Sequence, residues 1–185
     1  MRPAPLVLLA AGCLAGLPAA ALEVVRAEAS EDAGRYTVVV EVLIDAPREA
    51  VEAALTDFDR IEELSERFVE SRSLGQPEPG VTEVLTRLRD CVAFFCKTLE
   101  RVERIRETDT GLVAEDVPGR GDFRSGRTVW ALTAEGERTR LVFASRLVPD
   151  FWVPPLVGPA LLGARSRETT VEMMGALERR LKEER

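Results

Sequence analysis

The chain contains no histidine, and that absence limits its chemistry before any element is placed. Ser–His and Cys–His nucleophilic pairs need an imidazole to take up the proton, so both are excluded. With three cysteines and no histidine, a zinc centre would need an unusual ligand set, and neither a metal nor any other cofactor is expected. The carboxylates Asp57, Asp59, Asp90 and Asp122 stand singly, with no pair at a spacing that implies general acid–base work. Asp57 and Asp59 read as caps of a short helix. Arg87, Arg89, Arg101 and Arg104 alternate with Glu83, Glu100 and Glu103, a pattern that suits cross-strand ion pairs on an outer sheet face. An arginine reaching inward to anchor a ligand carboxylate or phosphate is the other reading, and the sequence does not say which one would do so.

Cys91 and Cys96 bracket Val92-Ala93-Phe94-Phe95. On a single strand they would stand on the order of 17 Å apart, too far to bridge. Flanking a hairpin loop they face each other, and a disulfide there would hold the two phenylalanines at the loop. Two reduced, buried thiols are the alternative. The spacing is not C-x-x-C, so no redox role is expected.

These residues need a scaffold. The 185 residues are 45% hydrophobic and 31% charged, enough for one globular domain with a core. Residues 1–21 differ from the rest: Arg2, an apolar run from Leu6 broken by Pro18, then Ala19-Ala20-Ala21 before Leu22-Glu23. This pattern predicts a signal peptide cleaved near Ala21, export to the periplasm, and a mature domain over 22–185. Lipidation at Cys13 and an uncleaved anchor are the competing readings. The formal charge of −7 argues against nucleic acid as a partner, since such binding requires clustered Lys and Arg.

Beyond the leader, Leu22–Ser30 and Tyr36–Ile44 read as strands, the second rich in β-branched residues. Pro47 opens a helix with Val51, Ala54 and Leu55 on one face, and a second short helix runs through Ile61 and Leu64. Six strands follow, near 67–74, 81–91, 96–106, 112–117, 127–133 and 138–148, joined by turn segments that include 75–80 and 118–126. Residues 155–184 read as one long helix with Val171, Met174, Leu177 and Leu181 on its apolar face and Met173 alongside. Short connections favour an antiparallel meander. Successive turns of a meander alternate between sheet ends, so the turns at 92–95 and 118–126 and the exit at 149–154 share one rim. Phe94, Phe95, Phe123, Phe151 and Trp152 gather there, five of the seven Phe and two Trp residues. Such a rim can line a cavity mouth, touch a membrane transiently, or plug the end of the core.

The order of elements, with Ile44-Asp45-Ala46-Pro47-Arg48-Glu49-Ala50-Val51, Leu55-Thr56-Asp57-Phe58-Asp59, Gly121-Asp122-Phe123, Gly126 to Trp130 and Thr139-Arg140-Leu141-Val142-Phe143, resembles the START/SRPBCC superfamily. The likeness covers residues 35–182 and is strongest to its polyketide cyclase and coenzyme Q-binding branch. The resemblance implies an α+β helix-grip fold, a curved antiparallel sheet wrapped around a long C-terminal helix, with a hydrophobic small molecule or lipid held between them. On that reading the expected ligand-binding residues are Phe94, Phe95, Phe123, Trp130, Phe151, Trp152, Leu156 and Met174. For Trp130 a place in the core is the competing reading, and the segment Phe151 to Gly158 reads either as a hinge bordering the cavity or as a rigid helix start. Two other functions stay open: a cyclase or dehydratase using cavity carboxylates, and an envelope assembly protein that grips a partner with the aromatic rim.

Overall fold

Val38, Val40, Val42 and Ile44 alternate along one strand, and all four are buried, the signature of a strand with one face on a core. The computed structural model describes residues 22–92, 95–153 and 158–184. Residues 1–21, where a leader is expected, and two of the candidate site residues, Phe94 and Leu156, lie outside the described residues.

The elements run β1 (Glu23–Asp32), β2 (Arg35–Ile44), α1 (Arg48–Thr56), a 3-10 helix (Phe58–Leu64), β3 (Phe68–Glu78), β4 (Val81–Val92), β5 (Phe95–Thr108), β6 (Gly111–Gly121), β7 (Phe123–Glu135), β8 (Arg138–Pro149) and α2 (Gly158–Glu183). All eight strands form one antiparallel sheet in the order β1-β2-β8-β7-β6-β5-β4-β3. The two short helices carry the chain from β2 to the far edge at β3. The sheet curls around α2, which packs against β1, β2, α1 and the 3-10 helix. This is the helix-grip fold, α+β in class, that the family resemblance implies.

The register stacks inward side chains into layers. Val42, Leu141 and Leu132 form one, then Val40, Phe143, Trp130 and Leu112, then Val38, Ser145, Thr128, Ala114 and Ile105. Val51, Ala54 and Leu55 of α1 and Met174, Leu177 and Leu181 of α2 join these inward side chains in one core. The C-terminal half of α2 is also tied by polar contacts: Arg180 Nη2 donates to Asp57 Oδ2 at 2.6 Å, and Glu178 Oε1 accepts from the Asp45 N–H at 3.1 Å.

Three local expectations are corrected. The segment 118–126 is not a loop between strands: β6 runs to Gly121, and β7 begins at Phe123. Glu103 pairs with Asp116 but Arg101 pairs with Gly121, so the turn-forming Pro118-Gly119 makes an excursion inside β6. At the other end β3 continues to Glu78, leaving only Pro79-Gly80 as the turn. Finally, neither Asp57 nor Asp59 caps through its side chain. Asp57 holds Arg180, and Asp59 Oδ1 accepts from the Ser73 N–H at 2.9 Å. Tertiary partners outcompete the local bond.

Candidate functional site

The upper part of the grip is hollow. A cavity of about 290 Å³ lies between α2 and the inner sheet face, lined mainly by apolar side chains including Val38, Leu99, Trp130, Phe143, Met173 and Met174. The hollow follows from the layers: small Ser145, Thr128 and Ala114 replace the large residues found one layer below. Thr128 Oγ1 and Ser145 Oγ hydrogen-bond each other at 3.0 Å, which lets two buried hydroxyls face an apolar space.

Charge enters this space through β5. Lys97, Leu99, Arg101, Glu103 and Ile105 share one parity and all line the cavity. Arg101 donates through Nε and Nη2 to Asp116 Oδ1 at 3.0 and 2.8 Å. Its Nη2 also lies 2.8 Å from Glu103 Oε1, a charge contact in which no N–H is aligned for a hydrogen bond. Gly126 makes the cluster fit, because a Cβ there would stand 2.1 Å from Asp116 Oδ2 and 2.7 Å from Leu147 Cδ2. Burial pushes the Glu103 carboxyl above its ordinary value; Arg101 works against this rise and Asp116 adds to it. Burial likewise raises the Tyr36 hydroxyl, helped by Glu31, and Tyr36 also lines the cavity.

The expected outer-face ion pairs exist, but not for every residue assigned to them. Arg87 pairs with Glu100 at 2.7 Å and Arg104 with Glu83 at 3.6 Å. Arg101 and Glu103 instead turn inward, since they share parity with Leu99 and Ile105 and oppose that of Glu100 and Arg104.

On the cavity lining, near the ends of β7 and β8, the Phe123 and Phe151 rings meet edge to face, 6.2 Å between centroids. Lys97 Nζ bonds Asp122 Oδ1 at 2.7 Å and sits 4.7 Å from the Phe151 ring centroid. Burial alone would raise the Asp122 carboxyl; hydrogen bonds from Lys97 and the Glu100 N–H outweigh it and hold the group below its ordinary value. On the α2 side, Asp90 Oδ1 accepts from Arg67 Nη1 at 2.9 Å and Arg165 Nε at 3.2 Å, and Arg67 reaches Glu172 at 3.2 Å. Cys91 and Cys96 face each other across β4 and β5 with Cα atoms 4.0 Å apart and sulfurs at disulfide distance.

Of the expected ligand-binding residues, Phe123, Trp130, Phe151 and Met174 line the cavity. Trp130 also packs against the core and lies edge to face with Phe143 at 5.7 Å. Trp152 does not join them: it is 77% exposed, just past the bend at which Phe151 turns onto the cavity. Phe95 begins β5, opposite Val92. Among the described residues, no group of three or more Cys, Asp or Glu side chains is placed to hold a metal ion.

The family model described as polyketide cyclase / dehydrase and lipid transport matches residues 35–183. The chain belongs to this START-like family. Its fold recurs in solved structures: a START superfamily protein from Mycobacterium smegmatis (14% identity, 80% of this chain and 99% of that one, TM-score 0.66) is one. Others are the Zhui aromatase/cyclase from Streptomyces sp. R1128 (17%, 80% and 94%, 0.64) and a STAR-related lipid transfer protein from Xanthomonas axonopodis (14%, 88% and 99%, 0.63). No curated protein matches the chain by sequence. Among these similar structures are both a cyclase and a lipid transfer protein.

Proposed function

We propose that this START-like protein is an exported carrier that holds one hydrophobic small molecule or lipid chain between its sheet and α2. The observation that carries this reading is the apolar hollow of about 290 Å³, kept open by small side chains in a layer where a closed core would have large ones. Ligand sites usually begin near 300 Å³, so the closed form suits a compact apolar molecule, and a bulkier lipid would require α2 to shift. The leader over 1–21 supports export, with cleavage near Ala21. In an oxidising compartment Cys91 and Cys96 form a disulfide that stiffens the hairpin at the mouth. Transient membrane contact during loading is consistent with the exposed Trp152 beside that mouth.

The test is to express the chain with its leader, purify it from the cell envelope and record native and denaturing mass spectra. A protein beginning at Leu22, two hydrogens lighter before reduction than after it, with one apolar adduct recovered by solvent extraction, is the expected result. A protein without any adduct that also fails to bind neutral apolar dyes would overturn the carrier reading.

One observation favours a second reading, in which the cavity performs cyclase- or dehydratase-like chemistry. Glu103 is a buried carboxyl with a raised proton affinity facing the cavity beside Arg101, the situation in which a carboxyl works as a general acid. Titration of Glu103 by carbon-13 NMR separates the readings: an ordinary glutamate value removes the catalytic one.

A further inference from the structure

The lining charges of the cavity are already matched. Asp90 is met by Arg67 and Arg165, and Lys97 by Asp122. Arg101 is the remaining inward cation, and it faces two carboxylates, Glu103 and Asp116. Among the described lining residues no positive charge is left over. A carboxylate or phosphate entering this apolar space would lose its hydration and meet a cluster that offers it no net attraction.

Uncharged oxygen chemistry is the opposite case. Glu103 and Thr169 line the cavity, and Glu103 Oε1 and Thr169 Oγ1 are buried without a hydrogen-bond partner among the described residues, Glu103 Oε1 having only its charge contact with Arg101 Nη2; Asp116 Oδ2, likewise without one, lies against Gly126 behind the lining. Glu103 is only 6% exposed and Thr169 also 6%, so water does little for either. Buried polar atoms normally have a partner. A hydroxyl can donate to the Glu103 carboxyl, and a carbonyl can accept from Thr169 or from Glu103 in its protonated form, which burial favours.

Resting on the carrier reading, we infer that the Arg101–Glu103 pair, braced from behind by Asp116, and Thr169 supply partners for an uncharged oxygen function in the cavity. The cavity therefore selects an apolar alcohol or ketone over the carboxylate of the same chain length.

Met173 and Met174 are the only methionines besides Met1, and both line the cavity, so carbon-13 labelled methionine methyls report binding inside it. Decanol, decan-2-one and decanoate are titrated against the purified protein at about pH 7.5, below their aggregation limits. The expected result is that decanol and decan-2-one bind at least about tenfold more tightly than decanoate, a difference of about 1.4 kcal/mol. In the Glu103→Gln/Asp116→Asn double variant, Arg101 loses both carboxyl partners and is left an unmatched cation, and the preference narrows or reverses. Decanoate binding the wild-type protein as tightly as decanol overturns the subsite while leaving the carrier reading intact. Methyl signals unmoved by all three compounds overturn the carrier reading and the subsite with it. The wild-type comparison stands even where the double variant fails to fold.

Discussion

At the residue scale, the molecule turns on a few side chains that break the inward apolar rule. Glu103 is held in a site that favours its neutral form, so its folded-state proton affinity lies above the unfolded one. The sign follows from linkage: the stability this group contributes is full below the ordinary glutamate range and is lost as pH rises through the raised value. Glu103→Gln keeps the shape and cannot ionise. Urea unfolding across pH should show the variant gaining on the wild-type protein as pH rises from about 4.5, the ordinary value; parallel curves would mean that Glu103 titrates normally. Gly126 offers a steric test of the same cluster. An alanine methyl there would collide with Asp116 and Leu147, and overpacking of this kind costs about 1–3 kcal/mol. Unchanged stability of Gly126→Ala would show that the cluster has room the structure does not give it.

At the element scale, α2 is held differently at its two ends. Met174, Leu177 and Leu181 fix the C-terminal half in the core, whereas in the N-terminal half Arg165 pairs with Asp90, which also holds Arg67, and Arg67 reaches Glu172 near the middle of the helix. Asp90→Asn removes the charge that both arginines share. Amide hydrogen exchange in the first turns of α2 should then quicken severalfold, with the C-terminal half unchanged; uniform exchange along the helix would contradict this division. The elements themselves were legible because period-2 and helical spacing are strong over ten or more residues, as in β2 and α2. The excursion in β6 was not, since Pro118-Gly119 carries the same turn signal inside a strand as between two. Strand parity is where the site was missed. Arg101 and Glu103 flank Val102, with Leu99 and Ile105 on the same side, and counting by twos along β5 places both charges on the inner face. The charged composition of the stretch suggested an outer ladder instead. The buried partner that makes the cluster, Asp116, had no local signal, because its pairing with Glu103 depends on the register across the excursion.

At the scale of the whole molecule, the fold is a sheet closed over a helix, packed in its core and hollow where a layer of small side chains, Ser145, Thr128 and Ala114, faces inward. The aromatic rim read from turn parity is partly realised: Phe123 and Phe151 meet on the cavity lining, while Trp152 is exposed. The central claim is that the hollow is a binding space rather than a packing fault, and filling it is the direct measurement. Ser166 lines the cavity from α2, and Ser166→Phe would occupy part of that volume. Nile red, a neutral apolar dye, is titrated into the wild-type protein and the variant side by side, with thermal unfolding as a check on the fold. One dye bound per wild-type chain is expected, with at least about a tenfold loss of affinity in the variant at equal or higher stability. Equal dye binding by a folded Ser166→Phe would place the apolar site on the outside of the molecule and contradict the claim.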